Sequence, residues 1–507
     1  MSDTLRPAPG TPTPPIEITG GASGATARLR APVVTLTDAF LVALGTACAE
    51  VSVDVAERVE ASRDWWPLAM VWATEGRVAQ VAGAVARPTT VAEVATVLAC
   101  CDEHRVPVTP AGGRSSVVGG TVPVHGGVIL DLCGLSGIVE VDTTSGIVEV
   151  LAGTFGDAFE EELGRTYAMT VGHWPQSMAL STVGGWVACR GAGQLSNRYG
   201  KIEDIVVGLE VVLADGRIVR TGGQPRQSVG PDLSRLFVGA EGTLGVITRA
   251  WLQAWPAPTH TGRSAWSFPS FGDGLAAMRR VTQRGARPAV LRLYDGIESQ
   301  RNFGVDPSAN VLLVFDEGDA TMVDAGLVVI DEECAAAERL DDELVTTWFG
   351  HRNDVAALEA LIGKGFVVDT LEISAPWSRL DAIYRDATTA ISGVEGTLAV
   401  SAHQSHSYLT GACLYFTFAG QVEPDRREPY YRAVWDAGTR AVLAGGGSLS
   451  HHHGIGLNRA RFMAEALGDG LGVLAAVKAA LDPNGICNPA KLGLPDPNGS
   501  DPWPVTP

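Results

Sequence analysis

The sequence predicts an α+β protein built from two or three domains. A chain of 507 residues is too long for one ordinary hydrophobic core. From about residue 82 to 257, short Val/Ile-rich runs that predict strands alternate with Gly-rich turns and a few helical stretches. A second region of strands and helices follows from about 263 to 440. This mixture of strands and helices is the pattern of α+β domains.

The N-terminal part of the chain divides into two stretches. Residues 1–30 are rich in Pro, Gly, Thr and Ala without periodicity, which predicts disorder. Residues 33–60 carry apolar positions at helical spacing, and we expect an N-terminal helical segment at 31–81. Within it, the aromatic-rich stretch 63–67 is expected to pack as a lid or a brace.

The middle region, 82–257, is expected to begin with a helix over 90–104 and to contain a series of strands. The predicted strands are 106–109, 127–132, 138–141, 147–151, 205–213 and 246–252.

The C-terminal stretch 441–492 contains a run of glycines, three consecutive histidines, an amphipathic helix ending near Leu481 and an Asp-Pro-Asn-Gly turn. The tail 493–507 is Pro/Gly-rich and is expected to be loose.

Composition narrows the class of partner. The net charge of −19 argues against a nucleic-acid ligand, because phosphate backbones are bound through a surplus of Lys and Arg. An anionic substrate therefore needs a local concentration of cations. The eight cysteines form no CxxC pair or zinc-like spacing, and they predict small buried hydrophobes in a reducing compartment.

Location follows from what the N-terminus and the apolar runs lack. We expect no secretory signal and no transmembrane helix, and therefore a cytoplasmic protein. Peripheral contact with a membrane and formation of a homodimer stay open.

A Gly-rich loop follows one of the predicted strands at 110–116. Small residues there leave successive backbone N–H groups unshielded, and such a nest can hold a pyrophosphate. The alternative is an ordinary Gly-rich turn.

Further motifs follow in a specific order. They are Ser177, Ser181 and Thr182 with 183–186, then 189–193, 199–204 and 237–248. With the first loop, their order and spacing resemble the FAD domain of the vanillyl-alcohol-oxidase superfamily, whose FAD-binding domain is of the PCMH type. The resemblance covers about residues 63–492.

The resemblance implies an architecture. A two-subdomain FAD-binding domain is expected at 82–257 and a substrate (cap) domain with an antiparallel sheet and helices at 258–440. The segment 441–492 is expected to return to the flavin.

The resemblance also implies which residues touch FAD. They are Pro110, Ala111, Gly112, Gly113, Arg114, Ser115, Ser116, His173, Gln176, Ser177, Ser181, Thr182, Cys189, Arg190, Gly191, Ala192, Glu241, Gly242, Thr243, Leu244, Gly245, Val246 and Ile247. Arg114 departs from the usual Gly or Thr, and either reaches a phosphate or points outward. His173 and Cys189 have the residue types to which some members tether flavin covalently, but the branch resembled here binds FAD without a bond.

The second half distinguishes branches of the superfamily. Dehydrogenases of D-2-hydroxy acids hold a divalent metal with a GDGNLH segment and a later EHG segment. Here Tyr415 replaces the metal-binding His, and His452 replaces the Glu. Losing these ligands dismantles a site for a hard metal. Consecutive histidines on a strand would point to opposite faces, so we expect no metal.

The replacements match the alkyl-dihydroxyacetonephosphate synthase branch, as do the segments 172–177, 291–293, 368–377, 412–416 and 448–456. The likeness implies that the acyl group of acyl-dihydroxyacetone phosphate, a lipid substrate, is exchanged for a fatty alcohol without net redox. In that branch a proton leaves beside the ketone and oxidised flavin traps the carbon during the exchange.

The same likeness assigns roles to residues of this chain. Tyr415 becomes the proton donor and acceptor, and Arg352 the ligand of the substrate phosphate. The alternative for Arg352 is a surface ion pair on a helix. Arg292 and the histidines His451, His452 and His453 would be needed for activity.

Tyr415 needs help to act as a base, because a phenol has a pKa of about 10 and lowering it to about 7 takes roughly 4 kcal/mol. Arg292, Arg352 and protonated histidines are expected to supply this. The alternative for Tyr415 is a tyrosine that simply packs in a strand.

Two other functions stay open: an FAD-dependent oxidoreductase of a D-2-hydroxy acid or another alcohol, and a flavin-bound sensor without turnover.

Overall fold

The structure is a computed structural model that describes residues 10–499. Its helices, in chain order, are α1 (Asp38–Ala47), α2 (Val55–Ala61), α3 (Pro67–Ala73), α4 (Val91–His104), α5 (Gly156–Tyr167), α6 (Val183–Cys189), α7 (Ser196–Tyr199), α8 (Ile202–Ile205), α9 (Leu233–Phe237), α10 (Phe271–Gln283), α11 (Gly296–Phe303), α12 (Ala320–Glu333), α13 (Glu343–His351), α14 (Ala356–Gly363), α15 (Trp377–Ser392), α16 (Arg427–Ala444), α17 (Met463–Leu467) and α18 (Gly470–Leu481).

The strands, in chain order, are β1 (Thr26–Ala27), β2 (Val51–Ser52), β3 (Arg77–Val78), β4 (Ala84–Ala86), β5 (Val108–Ala111), β6 (Val128–Asp131), β7 (Ile138–Asp142), β8 (Ile147–Leu151), β9 (Met169–Thr170), β10 (Val206–Val212), β11 (Ile218–Gly222), β12 (Val246–Gln253), β13 (Trp255–Pro256), β14 (His260–Phe268), β15 (Val290–Tyr294), β16 (Asn310–Gly318), β17 (Glu338–Leu340), β18 (Val367–Pro376), β19 (Thr397–Ser407) and β20 (Gly411–Gly420).

The region predicted to bind FAD contains two sheets, each with its own core. A four-stranded sheet has the order β2-β4-β6-β5, with β4 and β5 parallel to β6. A five-stranded antiparallel sheet has the order β11-β10-β12-β8-β7. The six strands predicted from sequence are all present, with ends shifted by no more than two residues. The two-subdomain prediction is confirmed.

The cap domain is built on one seven-stranded antiparallel sheet of order β17-β14-β16-β15-β19-β20-β18. Side chains alternate along its strands, as in Leu414, Phe416 and Phe418, which are buried, and Tyr415 and Thr417, which are partly exposed. The apolar positions form a large core with helices α10, α15 and α16. The polar positions lie on the other face of the sheet.

That polar face is turned toward the FAD-binding region. The short helix α7 docks on it, where the Ser196 hydroxyl lies 2.6 Å from His406 Nδ1 and the Tyr199 hydroxyl donates to Glu317 at 2.7 Å. The antiparallel cap predicted from the resemblance is therefore confirmed, and it faces the region where FAD is expected.

The N-terminal segment braces the molecule. Trp66 is fully buried, and its indole N–H donates to the Tyr431 hydroxyl on α16 at 2.9 Å. Residues 16–30, which the sequence predicts to be disordered, instead carry a buried Ile18 and pair Thr26 with Arg77 through β1 and β3. The physical reason is that these few residues cover the apolar edge of the first helices; residues 1–9 lie outside the described part.

The C-terminal segment returns to the FAD-binding region. The backbone of residues 486–488 bonds both ways to Val108, at 2.8 Å each. Lys478 on α18 donates to the Thr243 carbonyl at 2.7 Å. The tail differs from its prediction as far as residue 499, because Leu494 is buried and Asp496 bonds to the ring of His125. Within residues 10–499, no helix is both long and apolar enough to cross a bilayer.

Candidate active site

The Gly-rich loop after β5 is pressed against the segment before α6. A Cβ on Gly112 would lie 2.2 Å from the Thr182 hydroxyl, and a Cβ on Gly113 would lie 1.9 Å from the Leu180 carbonyl. Only glycine fits such close approaches. The loop 110–116 therefore presents bare backbone to its surroundings, as a pyrophosphate cradle requires.

The other segments predicted to touch FAD meet the same loop. A Cβ on Gly242 would lie 2.4 Å from the ring of Pro110, and Gly242 has a φ of +75°. The Glu241 amide donates to the Ala188 carbonyl at 2.9 Å, which ties the segment 241–247 to the end of α6. The four sequence segments thus converge on one place, although about a quarter of the chain separates the first from the last.

Individual side chains in these segments have different environments. Thr182 caps α6 through a bond from the Gly185 amide at 3.3 Å, and Ser181 accepts from the Trp186 indole at 2.7 Å. The side chains of Leu244, Val246 and Ile247 are buried in the two cores, so only their backbone is available to a cofactor.

Some of the polar side chains predicted to touch FAD are already engaged elsewhere. Arg114, at φ +56°, lies 3.6 Å from the Asp131 carboxylate at the end of β6. Arg190 donates to Glu203 at 3.1 Å, and Gln176 donates to the Asp354 carbonyl at 3.3 Å. Arg114 therefore points toward a carboxylate rather than outward, and this contact was not among the alternatives that the sequence offered.

The surroundings of His173 suit a bound aromatic cofactor. It is completely buried, its ring lies 4.7 Å from that of Trp186, and both ring nitrogens lack a hydrogen-bond partner within residues 10–499. Burial, with a smaller effect of Lys201, lowers the pKa of His173 to about 3. A buried polar ring without a partner is costly, so a bound group that supplies hydrogen bonds fits this position.

Cys189 is the second residue with the type used for a covalent flavin link. Its thiol donates weakly to the Trp186 carbonyl at 3.7 Å. Burial and then Glu241 raise the pKa of Cys189 to about 12, which keeps it a thiol rather than a nucleophilic thiolate.

A row of polar side chains crosses the cap sheet opposite these segments. In the register of the sheet, Glu372 on β18 pairs with Tyr415 on β20, Tyr415 with His403 on β19, and His403 with Tyr294 on β15. Directly opposed residues of antiparallel strands share a face. The rings of His403 and Tyr415 stack at 4.7 Å with an angle of 18°.

Arg292 joins this row through hydrogen bonds. Its guanidinium donates to the Tyr294 hydroxyl and to His403 Nε2, both at 2.7 Å. Because arginine only donates, His403 Nε2 accepts and its Nδ1–H donates to Glu298 at 2.8 Å. Burial and then Arg292 lower the pKa of His403 to about 4, so the ring is neutral near pH 7.

The three consecutive histidines lie in an irregular loop between α16 and α17, not on a strand as the sequence argument assumed. The Tyr415 hydroxyl lies 3.4 Å from His453 Nε2. Tyr415, Arg292 and the histidine run, which the sequence predicts to act together, are therefore brought together by the structure.

The loop also corrects the argument that these histidines must diverge. One ring nitrogen each of His406, His451 and His452 lies within 4.8 Å of the others, close enough to share a metal ion. The absence of a metal stays a prediction, but strand geometry no longer supports it.

The environment of Tyr415 reverses one expectation. Burial has the largest effect and raises the pKa of Tyr415 above its usual value. A hydrogen bond with Thr370 opposes the rise, Glu372 and Asp369 add to it by smaller amounts, and Arg292 opposes it least. The histidines do not help, because burial lowers the pKa of His451, His452 and His453 and keeps them uncharged. The prediction of a phenol shifted toward pH 7 by surrounding cations is wrong for this state of the protein.

Arg352 lies at the edge of the site, at the end of α13. Its guanidinium lies 4.5 Å from the Phe349 ring and 5.6 Å from the Trp174 ring, an arrangement unlike the surface ion pair that was its alternative. Arg292 lies 5.8 Å from the ring of Trp348 on the same helix. The two arginines therefore border one aromatic wall, but Arg352 is not in the Tyr–His cluster.

Sequence reasoning missed several polar residues of the site. They are Lys201, Glu298, Glu372, His403, His406 and Tyr408. The signal available was two histidines and a tyrosine in the run 403–408, next to the segment that carries Tyr415. The two glutamates gave no signal, since their partners are distant in sequence.

Comparison with known proteins identifies the family of the chain. Residues 82–222 match the FAD binding domain family, and residues 257–492 match the family described as FAD linked oxidases, C-terminal domain. The chain belongs to this family of flavoproteins with a PCMH-type FAD-binding domain, and its cofactor is FAD.

Within that family, particular relatives are similar over most of the chain. Alkyldihydroxyacetonephosphate synthase of Trypanosoma brucei brucei is 30% identical over 476 residues, covering 86% of this chain and 76% of the relative. An uncharacterized FAD-linked oxidoreductase, YgcU, of Escherichia coli (strain K12) is 31% identical over 415 residues, covering 78% and 86%. A solved structure of alkyldihydroxyacetonephosphate synthase superposes with a TM-score of 0.78 over 95% of this chain and 89% of that one, at 23% identity.

Proposed function

We propose that this protein is an FAD-dependent transferase that exchanges the acyl group of acyl-dihydroxyacetone phosphate for a fatty alcohol, without net redox. The observation that carries the proposal is the position of Tyr415, stacked on His403 and 3.4 Å from His453 Nε2. The similarity to alkyldihydroxyacetonephosphate synthase of Trypanosoma brucei brucei supports the substrate class.

The residues divide the work as follows. The raised pKa of Tyr415, caused first by burial, makes its phenol a hydrogen-bond donor in the free enzyme. The neutral ring of His453 offers Nε2 as the acceptor for that hydroxyl. The segments 110–116, 176–182, 189–192 and 241–247 would hold FAD, which would supply an electrophilic ring to this reaction.

The cations account for an anionic substrate in an acidic protein. Among residues 10–499, the contacts of Arg352 are with aromatic rings and through its backbone carbonyl, which accepts from Gln194 at 3.1 Å, so its guanidinium has donors to spare. A guanidinium binds a phosphate with two parallel bonds. We assign the phosphate to Arg352, with Arg292 holding His403 and Tyr294 in place.

The deciding experiment compares two reactions of the FAD-loaded enzyme. Acyl-dihydroxyacetone phosphate carrying a labelled acyl group is mixed with unlabelled fatty acid, and loss of label is followed. In parallel, D-2-hydroxy acids are offered with a dye acceptor. We expect exchange of the labelled acid without dye reduction. Dye reduction in the absence of exchange would replace this proposal with an oxidoreductase.

The role of Tyr415 is tested by Tyr415→Phe. We expect exchange to fall by about 100-fold or more, the range of a positioned proton-transfer group, while the flavin absorbance stays unchanged. Tyr430→Phe is the matched control, because Tyr430 lies in the core beneath the cap sheet, where its hydroxyl lies 3.0 Å from that of Thr397. Normal turnover of Tyr415→Phe would show the assignment to be wrong.

A second candidate, an FAD-linked oxidoreductase of a hydroxy acid, is favoured by one observation. The nitrogens of His406, His451 and His452 lie within 4.8 Å of one another, and imidazole suits several redox-assisting divalent metals. Metal analysis of the purified holoenzyme separates the two, since one equivalent of tightly held metal per flavin supports the oxidoreductase.

A further inference from the structure

One carboxylate lies at the centre of the histidine loop. Glu372 on β18 is completely buried and faces the loop from the cap sheet. Its Oε1 accepts from the amides of His451, His452 and His453 at 3.1, 3.0 and 2.8 Å, and from the Ser450 hydroxyl at 2.7 Å. Three successive N–H groups aimed at one oxygen form an anion nest, here filled by the protein itself.

The second oxygen of Glu372 faces two other groups. Oε2 accepts from Arg459, which is fully buried. It also lies 3.5 Å from His453 Nδ1, a buried nitrogen with no hydrogen-bond partner among residues 10–499. The acceptor available to a hydrogen on Nδ1 of His453 is therefore the carboxylate of Glu372.

This orientation fixes what the other side of the ring can do. A carboxylate only accepts, so Nδ1 of His453 must carry the hydrogen. In a neutral imidazole Nε2 is then an acceptor, and it lies 3.4 Å from the Tyr415 hydroxyl. The donors thus all point one way: the Tyr415 hydroxyl toward Nε2 of His453, and Nδ1–H of His453 toward Glu372.

We propose that Glu372 is the positioning residue of this active site: it holds the histidine loop by its amides and sets the Nδ1–H tautomer of His453, which leaves Nε2 to accept from Tyr415. The consequence for turnover rests on the function proposed above. The tautomer of His453 and the geometry of the histidine loop do not rest on that function, and they are measured separately.

A purely structural role for Glu372 explains less. An ion pair with Arg459 occupies only Oε2, and buried ion pairs are often replaceable by apolar residues without loss of stability. The four bonds to Oε1 and the approach to His453 need a carboxylate at this point of β18. Replacing Arg459 together with Glu372 therefore distinguishes the positioning role of Glu372 from its role in the ion pair.

The experiment uses FAD-loaded protein labelled with ¹⁵N-histidine. The signals of His453 are assigned by their loss in His453→Gln, and nitrogen shifts report which ring nitrogen carries the hydrogen. The test variant is Glu372→Gln with Arg459→Met, which removes both buried charges together. The matched control is Glu241→Gln, since Glu241 accepts from the Ile455 and Gly456 amides of the same loop, at 2.6 and 2.7 Å.

We expect the Nδ1–H tautomer of His453 in the wild type and in Glu241→Gln, and a shift toward Nε2–H in the double variant. Exchange activity should fall by about 10- to 100-fold in the double variant, as for other residues that orient a functional imidazole. Glu372→Asp, which keeps the charge, should retain more activity than the double variant.

An Nε2–H tautomer in the wild type overturns the proposal, and this needs no variant to fold. An unchanged tautomer in the double variant overturns it as well. A tautomer that responds as expected in an enzyme that shows no exchange supports the position of Glu372 and refutes the transferase function instead.

Discussion

Buried side chains set the charge state of the active site residue by residue. His403 and the histidine run are neutral because burial lowers each pKa, and Tyr415 is protonated because burial raises its pKa. Two pairs of oppositely charged side chains lie near the row of polar side chains on the cap sheet. Arg459 pairs with Glu372, and Arg292 reaches Glu298 through the ring of His403. A phosphate therefore adds a charge that Arg352 is best placed to meet.

Individual side chains also determine whether FAD is bound covalently. Cys189, with a pKa raised to about 12 chiefly by burial, stays a thiol and is not an activated nucleophile, and the ring of His173 packs 4.7 Å from that of Trp186. We expect all flavin to appear in the supernatant when the holoenzyme is precipitated with acid. A flavin-fluorescent protein band in a denaturing gel would contradict this, and His173→Ala and Cys189→Ser would then show which residue forms the bond.

Strand β18 shows what a single element contributes, because its two carboxylates point to opposite faces of the sheet. Glu372 faces the histidine loop. Asp369, three residues earlier, faces α16 and accepts from the Tyr431 hydroxyl at 2.5 Å and the Trp435 indole at 3.1 Å. One strand thus ties the active site and the helix layer to the same sheet.

The buried Asp369 predicts a dependence of stability on pH. Burial raises the pKa of Asp369 to about 7, well above that of an unfolded aspartate. The folded state then binds a proton that the unfolded state releases, so this group lowers the free energy of unfolding as pH rises from about 4 to 7. Between pH 5 and 8 the loss amounts to about 3 kcal/mol.

Asp369→Asn removes this titration. Urea unfolding at pH 5 and pH 8 should show a smaller loss of stability for Asp369→Asn than for the wild type, whatever its absolute stability. Asp386→Asn, at an exposed position of α15, is the control and should parallel the wild type. Equal losses in all three proteins would contradict the assignment.

Local signals predicted the elements well. Thr90 and Glu93 form the capping box that starts α4, and the predicted helix 90–104 differs from α4 by one residue. In β20, Leu414, Phe416 and Phe418 alternate with Tyr415 and Thr417, a local pattern that the sequence analysis left unused. The partners of Glu372 could not be predicted, because they come from a loop that follows it by about eighty residues and that no local pattern places. The prediction of the charge state of Tyr415 failed for the same reason, since that state depends on which groups lie nearest to the phenol in the folded protein.

At the scale of the whole molecule, distant parts of the chain close one site. The loop with the three histidines is held from the cap sheet by Glu372 and from the FAD-binding region by Glu241. Asn488 in the C-terminal segment donates to the Glu241 carbonyl at 2.7 Å. The segments predicted to touch FAD and the row of polar side chains on the cap sheet are therefore connected through this loop.

This connection predicts that FAD stabilises the molecule as a unit. At a free FAD concentration of 100 times the Kd, the gain in unfolding free energy is about 2.7 kcal/mol. We expect a single thermal transition whose Tm rises by a few degrees when FAD is added to the apoprotein. Two transitions, with only one shifted by FAD, would show that the halves are uncoupled.

A pair of glycine variants supplies the control. In Gly113→Ala the new Cβ would lie 1.9 Å from the Leu180 carbonyl, so the loop must shift and the response to FAD should shrink. In Gly45→Ala the new Cβ meets nothing within 4 Å, and the response should be retained.

The alternation of β20 has a consequence for how the gene tolerates change. Substitution at one position alters one side chain, but inserting or deleting a single residue before Tyr415 would move the phenol into the layer of Phe416 and Phe418, and a phenylalanine into the reaction space. Length variation should therefore be rejected throughout 411–420, while the turn residues 409 and 410, of which Leu409 is 61% exposed, should accept it.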